Sequence, residues 1–117
     1  MKYKFSKKLK EVAIIQPDIH HDYRGEYIET WNVENYKIFD HLVNNNKPIT
    51  FKQDDISTSV KHTLRGLHGD DKTWKLVSCV YGSLLQVVVD MRESSDTYLK
   101  YDMFSINDKN RNQILVP

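Results

Sequence analysis

From Pro48 onward the chain is a succession of short β-type runs, and this feature narrows its possible folds more than any other. The runs fall at 49–57, 63–68, 74–80, 83–90, 99–106 and 113–116. Most are separated by turn signals: Gly69-Asp70-Asp71, Tyr81-Gly82, Ser94-Ser95-Asp96 and Asn107-Asp108-Lys109-Asn110. Glycine, asparagine, aspartate and serine bend the backbone or bond back onto it, so clusters of them close strands. Many short strands at this spacing predict a β-sandwich or barrel. The run Leu84 to Val89 has little alternation and is expected to be a central strand buried on both faces.

The first half adds fewer elements. Val12-Ala13-Ile14-Ile15, closed by Gln16-Pro17-Asp18, predicts a strand running into a turn. In Gly25-Glu26-Tyr27-Ile28-Glu29-Thr30-Trp31, Tyr27 and Trp31 fall on one side of a period-2 pattern, a side expected to line a pocket. Asn32 is placed to cap a helix carrying Tyr36, Phe39, Leu42 and Val43 at three-and-four spacing and ending in Asn44-Asn45-Asn46-Lys47-Pro48. The expected class is therefore all-β with one short helix, in a single domain spanning 1–117.

Seventeen Lys+Arg nearly cancel sixteen Asp+Glu. No overall basic field exists to hold DNA or RNA, and nucleic acid is excluded as a partner. The lysines after Met1 lead into no apolar stretch of signal-peptide length, and no run is long enough to span a bilayer, so a cytoplasmic location without membrane is expected. Cys79 is the single cysteine, expected to be a small buried residue rather than a nucleophile.

The chemistry-bearing residues concentrate in Arg65-Gly66-Leu67-His68 and Trp74-Lys75. A histidine at a strand end serves structure as readily as function; the two cations beside His68 keep the functional reading open. A metal site is not expected, because His62 and His68 lack metal-ligand spacing and His20-His21 reads as a solvated loop pair. Asp22-Tyr23-Arg24-Gly25 and the segment from Phe51 to Ser57, which includes Gln53, supply groups suited to phosphate or sugar oxygens. No glycine-rich phosphate loop or dinucleotide fingerprint is present.

Taken in order, these segments resemble the sugar-nucleotide 3,5-epimerases of the dTDP-4-dehydrorhamnose 3,5-epimerase type. The resemblance runs through Asp22-Tyr23-Arg24-Gly25 with Glu29, Phe51 to Ser57, Leu64-Arg65-Gly66-Leu67-His68, Lys75-Leu76-Val77, Tyr81-Gly82, Val87 to Arg92, Ser94 to Tyr98 and Asn112 to Pro117. It implies a cupin-type jelly roll, here the N-terminal two thirds of the family domain and incomplete at its C-terminus. A homodimer that exchanges N-terminal strands is also implied, as is inversion at C3, C5 or both of a nucleotide-linked 4-keto-6-deoxy sugar without metal or organic cofactor.

By the same resemblance His68 is the catalytic base, and Lys75 supplies positive charge to the enolate oxygen. Arg65 holds the diphosphate or orients the site, Arg24 and Glu29 serve the nucleotide end, in a swapped dimer that of the partner's site, and Gln53 contacts nucleotide or sugar. The tyrosine that protonates the opposite face lies, in relatives, beyond the position of Pro117, and Tyr81, Tyr98 and Tyr101 do not match it. Gly69-Asp70 stands where rhamnose-pathway members carry an aromatic residue and a glutamine. That departure resembles a branch acting on other activated sugars, including GDP-linked heptoses used in bacterial surface polysaccharides. Two other readings remain: a non-catalytic sugar-nucleotide-binding domain, including an inactive truncated epimerase, and a ketoisomerase.

Overall fold

The computed structural model describes residues 1–42 and 48–117. Its centre is a four-stranded antiparallel sheet, built from β1 (Lys2–Phe5), β2 (Ala13–Gln16), β5 (Lys75–Ser78) and β8 (Gln113–Val116) in the order β1-β2-β8-β5. Two hairpins accompany it: β3 (Ile19–Asp22) with β4 (Gly25–Ile28), and β6 (Ser83–Val89) with β7 (Tyr101–Asn107).

Alternation along the central strands sorts their side chains onto two cores. Ala13, Ile15 and Leu115 are fully buried against Tyr36, Phe39 and Ile49, with Trp31, Phe51, Trp74 and Leu76 packed around them. Ile114 lies on the opposite side with Leu9, Val12, Cys79, Phe104 and Ile106, backed by Ile14, Val77 and Val88. The sheet is thus covered by the helical segment on one face and by the β6–β7 hairpin on the other. Cys79 is a buried thiol within this second core, as expected.

The strand buried on both faces is β8 rather than the run Leu84 to Val89. Among the described residues strand β6 pairs only with β7, and Leu85 is 61% exposed. A continuous apolar run marks a strand able to be covered twice; coverage depends on neighbours, and here only the face carrying Val88 has one.

The helix starts as predicted. Asn32 has extended backbone (φ −153°, ψ 122°), and its side chain accepts from the Glu34 N–H at 2.9 Å. One α-turn, α1 (Val33–Tyr36), tightens into a 3-10 segment, Lys37–Leu42, whose buried residue is Phe39. The expected continuation through Val43 to Lys47 lies outside the described residues. Tyr36 ties the helix to the sheet: its hydroxyl donates to Gln113 Oε1, and Gln113 Nε2 donates to the Thr30 carbonyl at 2.8 Å. Gln113 is 1% exposed, so no water replaces a lost partner. Burial, with a smaller contribution from Glu29, pushes the Tyr36 hydroxyl up to about 12, which keeps it a donor. Tyr36→Phe leaves a buried amide oxygen unpaired and is expected to cost about 1–3 kcal/mol in denaturant melts.

The predicted strands at 49–57 and 63–68 do not form. No strand is assigned between Ile28 and Lys75 among the described residues, and almost every side chain from 52 to 73 is exposed. A strand requires a neighbour to bond its N–H and C=O groups; no described element runs beside this segment. It stands away from the body as an arm. The Cα radius of gyration, 14.9 Å, accordingly exceeds the roughly 13 Å of a compact chain of this length.

Candidate functional site

The sequence places six residues in a site, and the structure distributes them over two regions. Arg24 and Glu29 belong to the β3–β4 hairpin and its exit. Gln53, Arg65 and His68 lie on the arm, and Lys75 opens β5. His68 is exposed at the arm's end, and Gly66 shapes the backbone beneath it. Gly66 has φ +99°, and a Cβ there would come within 3.2 Å of His68 Nδ1 and 3.3 Å of its backbone nitrogen. Only glycine combines that conformation with that approach.

Lys75 is half-buried, and its backbone is paired with Val116 in β8. Its ammonium donates to Asp70 Oδ2 at 3.1 Å, and Asp70 also accepts from the Lys72 N–H at 2.9 Å. The other cations are likewise held locally. Arg65 donates to Ser59 Oγ at 3.0 Å and to the Thr58 carbonyl at 3.3 Å. Arg24 donates to the Asp22 carboxylate through both Nε and a terminal nitrogen, and this holds Asp22 below the usual carboxylate range. Gln53 Nε2 donates to Asp55 at 2.7 Å. No hydrogen bond or ion pair among the described residues joins any two of the six.

Glu29 lines a cleft. This space, about 500 Å³, is also bordered by Met1, Asp18, His20, Tyr27 and Tyr36. The Glu29 carboxylate accepts from Asn35 at 2.7 Å and Asn32 at 3.1 Å, which fixes it at the rim. Tyr27 borders the cleft as predicted, but Trp31 does not: its ring packs 4.4 Å from Tyr36 and 4.7 Å from Phe51, within the core. His20 and His21 stand on strand β3, not in a loop. His20 is paired with Tyr27 across the hairpin, so its ring joins the cleft wall. Among the described residues, no three His, Cys, Asp or Glu side chains converge as a metal site, and no helix is long and apolar enough to cross a membrane.

Two groups escaped sequence reading. Asp70 was visible only as a departure from a motif, although its position five residues before Lys75 could have marked it as a partner. Asp90 is 7% exposed and gathers Arg92, Ser95 and Thr97 around one carboxylate; the signal was the spacing of hydroxyls after an Asp-x-Arg.

Comparison with known proteins accounts for this arrangement. The family model described as dTDP-4-dehydrorhamnose 3,5-epimerase matches residues 6–117. The dTDP-4-dehydrorhamnose 3,5-epimerase of Salmonella typhimurium is 33% identical over 112 residues, covering 93% of this chain and 58% of that protein. The crystal structure of the Elizabethkingia anophelis enzyme superposes with a TM-score of 0.81 at 36% identity, over 100% of this chain and 62% of that one. The Legionella pneumophila epimerase, solved in complex with dTDP-4-keto-L-rhamnose, superposes at 0.85 with 29% identity, over 99% of this chain and 61% of that one. The chain therefore spans a little under two thirds of the length of these relatives. The mostly β, cupin-like architecture with one short helix is the one they share.

Proposed function

The chain belongs to the dTDP-4-dehydrorhamnose 3,5-epimerase family, and on that premise we propose that it serves the inversion of C3, C5 or both next to the ketone of a nucleotide-linked 4-keto-6-deoxy sugar. The observation that carries this reading is that the family match runs through all six candidate residues, with His68 exposed on the arm and the Lys75 ammonium held on the strand that follows it.

A proton alpha to a ketone leaves only when a positioned base removes it while the enolate oxygen is stabilised. In this reading His68 takes the proton, and Lys75 presents N–H donors to the oxygen as its charge grows. Arg65 neutralises diphosphate, and Gln53, also on the arm, contacts nucleotide or sugar. Glu29 receives the nucleotide at the cleft, and Arg24 serves the same end from the turn of the β3–β4 hairpin. No metal or organic cofactor enters the reaction, which serves cytoplasmic synthesis of surface polysaccharide precursors.

The protein works as a homodimer, and the arm supports that assignment. It exposes Ile56, Val60, Leu64 and Leu67, with Leu64 90% exposed, an apolar series that a second copy would cover. The region at 1–117 acts as one domain. The substrate is dTDP-linked, as in the Legionella complex, or a GDP-linked keto-heptose, the choice favoured by Gly69-Asp70 after His68.

A non-catalytic sugar-nucleotide-binding role is favoured by a different observation: each cation is already satisfied by a local partner, and none is bonded to His68. One experiment separates the readings. The chain is incubated with dTDP-4-keto-6-deoxyglucose or a GDP-linked keto-heptose in deuterated water, and the product is read by NMR. Label at C3 or C5 is expected. A displaced ketone carbon would instead identify a ketoisomerase. Nucleotide binding by calorimetry without label would identify a binding domain.

A further inference from the structure

The turn between the arm and β5 holds a charge pair that the roles above do not use. Asp70 is fixed from one side, by the 2.9 Å bond it accepts from the Lys72 N–H; Lys75 is fixed from the other, by its place in β5 opposite Val116. Between these anchors lies the flexible four-carbon stem of the lysine, which Asp70 restrains by accepting from Nζ at 3.1 Å. A stem of that kind samples many rotamers unless a partner selects one. Thr73, the Lys72 backbone and Lys75, in that order, hold the Asp70 carboxyl well below the usual carboxylate range, so the partner is an anion.

Resting on the reading that Lys75 meets the enolate oxygen, we propose that Asp70 is the positioning residue for that lysine, fixing the direction of its ammonium before substrate arrives. An ammonium has three N–H donors; one engaged by Asp70 leaves two for incoming oxygens. The pair also changes which oxygens the lysine attracts. A lone cation draws a diphosphate from a distance, whereas a cation beside a carboxylate has a field that falls off within a few ångströms. It therefore favours an oxygen that gains charge within hydrogen-bond reach. The carboxylate opposes the growing enolate charge as well. Both side chains are about 40% exposed (40% for Lys75, 44% for Asp70), so water screens this longer-range repulsion more than it weakens a direct N–H···O contact. Orientation outweighs repulsion.

Asp70→Asn isolates the charge pair, because asparagine keeps an oxygen to accept from Lys72 and preserves the turn. In the full chain, side-chain relaxation of isotope-labelled lysine is expected to show Lys75 restrained in the wild type and released in Asp70→Asn, with the Lys72 amide signal unmoved. With the keto-sugar nucleotide in deuterated water, kcat for label incorporation is expected to fall about tenfold with KM within about twofold. Asp70→Asn is expected to add no further loss once Lys75→Met is present. Unchanged Lys75 mobility in Asp70→Asn, or an equal further loss in the Lys75→Met background, overturns the proposal. If the wild type incorporates no label while Asp70→Asn still frees Lys75, the restraint is upheld and it is the epimerase reading that fails.

Discussion

Replacing His68 with asparagine is expected to lower deuterium incorporation beside the ketone by about 10²–10⁴-fold, the usual contribution of a positioned general base. Asparagine resembles the imidazole in size and polarity but cannot accept a proton at neutral pH, so the change removes the chemistry and little else. Because His68 is exposed and packs in neither core, folding should be unaffected. Lys75→Ala acts on the other half of the same step and is expected to cost about 10²–10³-fold, as loss of an oxyanion donor does. Nucleotide binding should survive in both variants. Label incorporation at the wild-type rate in either would remove that residue from the mechanism.

The largest expected effect on stability is that of Asp90→Ala. The Asp90 carboxylate accepts from Arg92 Nε and a terminal Arg92 nitrogen, both at 2.9 Å, and from Ser95 Oγ and Thr97 Oγ1, both at 2.6 Å. Arg92 also reaches Glu11, which joins this loop to the turn before β2. Truncation removes the shared acceptor of Arg92, Ser95 and Thr97, leaving the Thr97 hydroxyl with Ser95 alone and half of the guanidinium unpaired, a loss of about 3 kcal/mol on the scale of broken buried charge networks. A melting temperature within a degree or two of the wild type would show that the network contributes nothing.

The same group predicts an acid limb. Arg92 foremost holds the Asp90 carboxyl well below its ordinary range despite burial, which acts the other way. A carboxylate depressed in the folded state contributes fully above its unfolded value, about 3.9, and loses that contribution as pH falls toward the folded value. Wild-type stability should therefore drop below about pH 4, and the drop should be shallower in Asp90→Ala.

Legibility in the sequence depended on whether a described neighbour stands beside each segment. The Asn32 cap and the turns rest on neighbours a few residues away; the strands β2, β5, β7 and β8 also formed where the pattern put them, within a residue or two, although their ladder partners are as distant as Ala13 and Leu115. The runs at 49–57 and 63–68 carry the same β-type residues, but no described strand lies beside them, and composition does not say whether a partner is present. The site divided in the same way. The residue types and their order were legible, while the local pairs of Arg24, Gln53, Arg65 and Lys75 were not, since a motif does not reveal what a side chain bonds when no substrate is bound. Trp31 was misplaced because alternation is lost once the strand ends at Ile28.

The strand order β1-β2-β8-β5 sets a schedule for folding. Strand β8 lies between β2 and β5, and Ala13 pairs with Leu115. Only the β1–β2 hairpin can assemble early, since every other pairing in this sheet waits for residues near 115. Such long-range closure places folding in the millisecond-to-second regime. On the ribosome, the edge of β2 that faces β8 would stay unpaired until residues near 115 had emerged, an open strand edge of the kind chaperones shield.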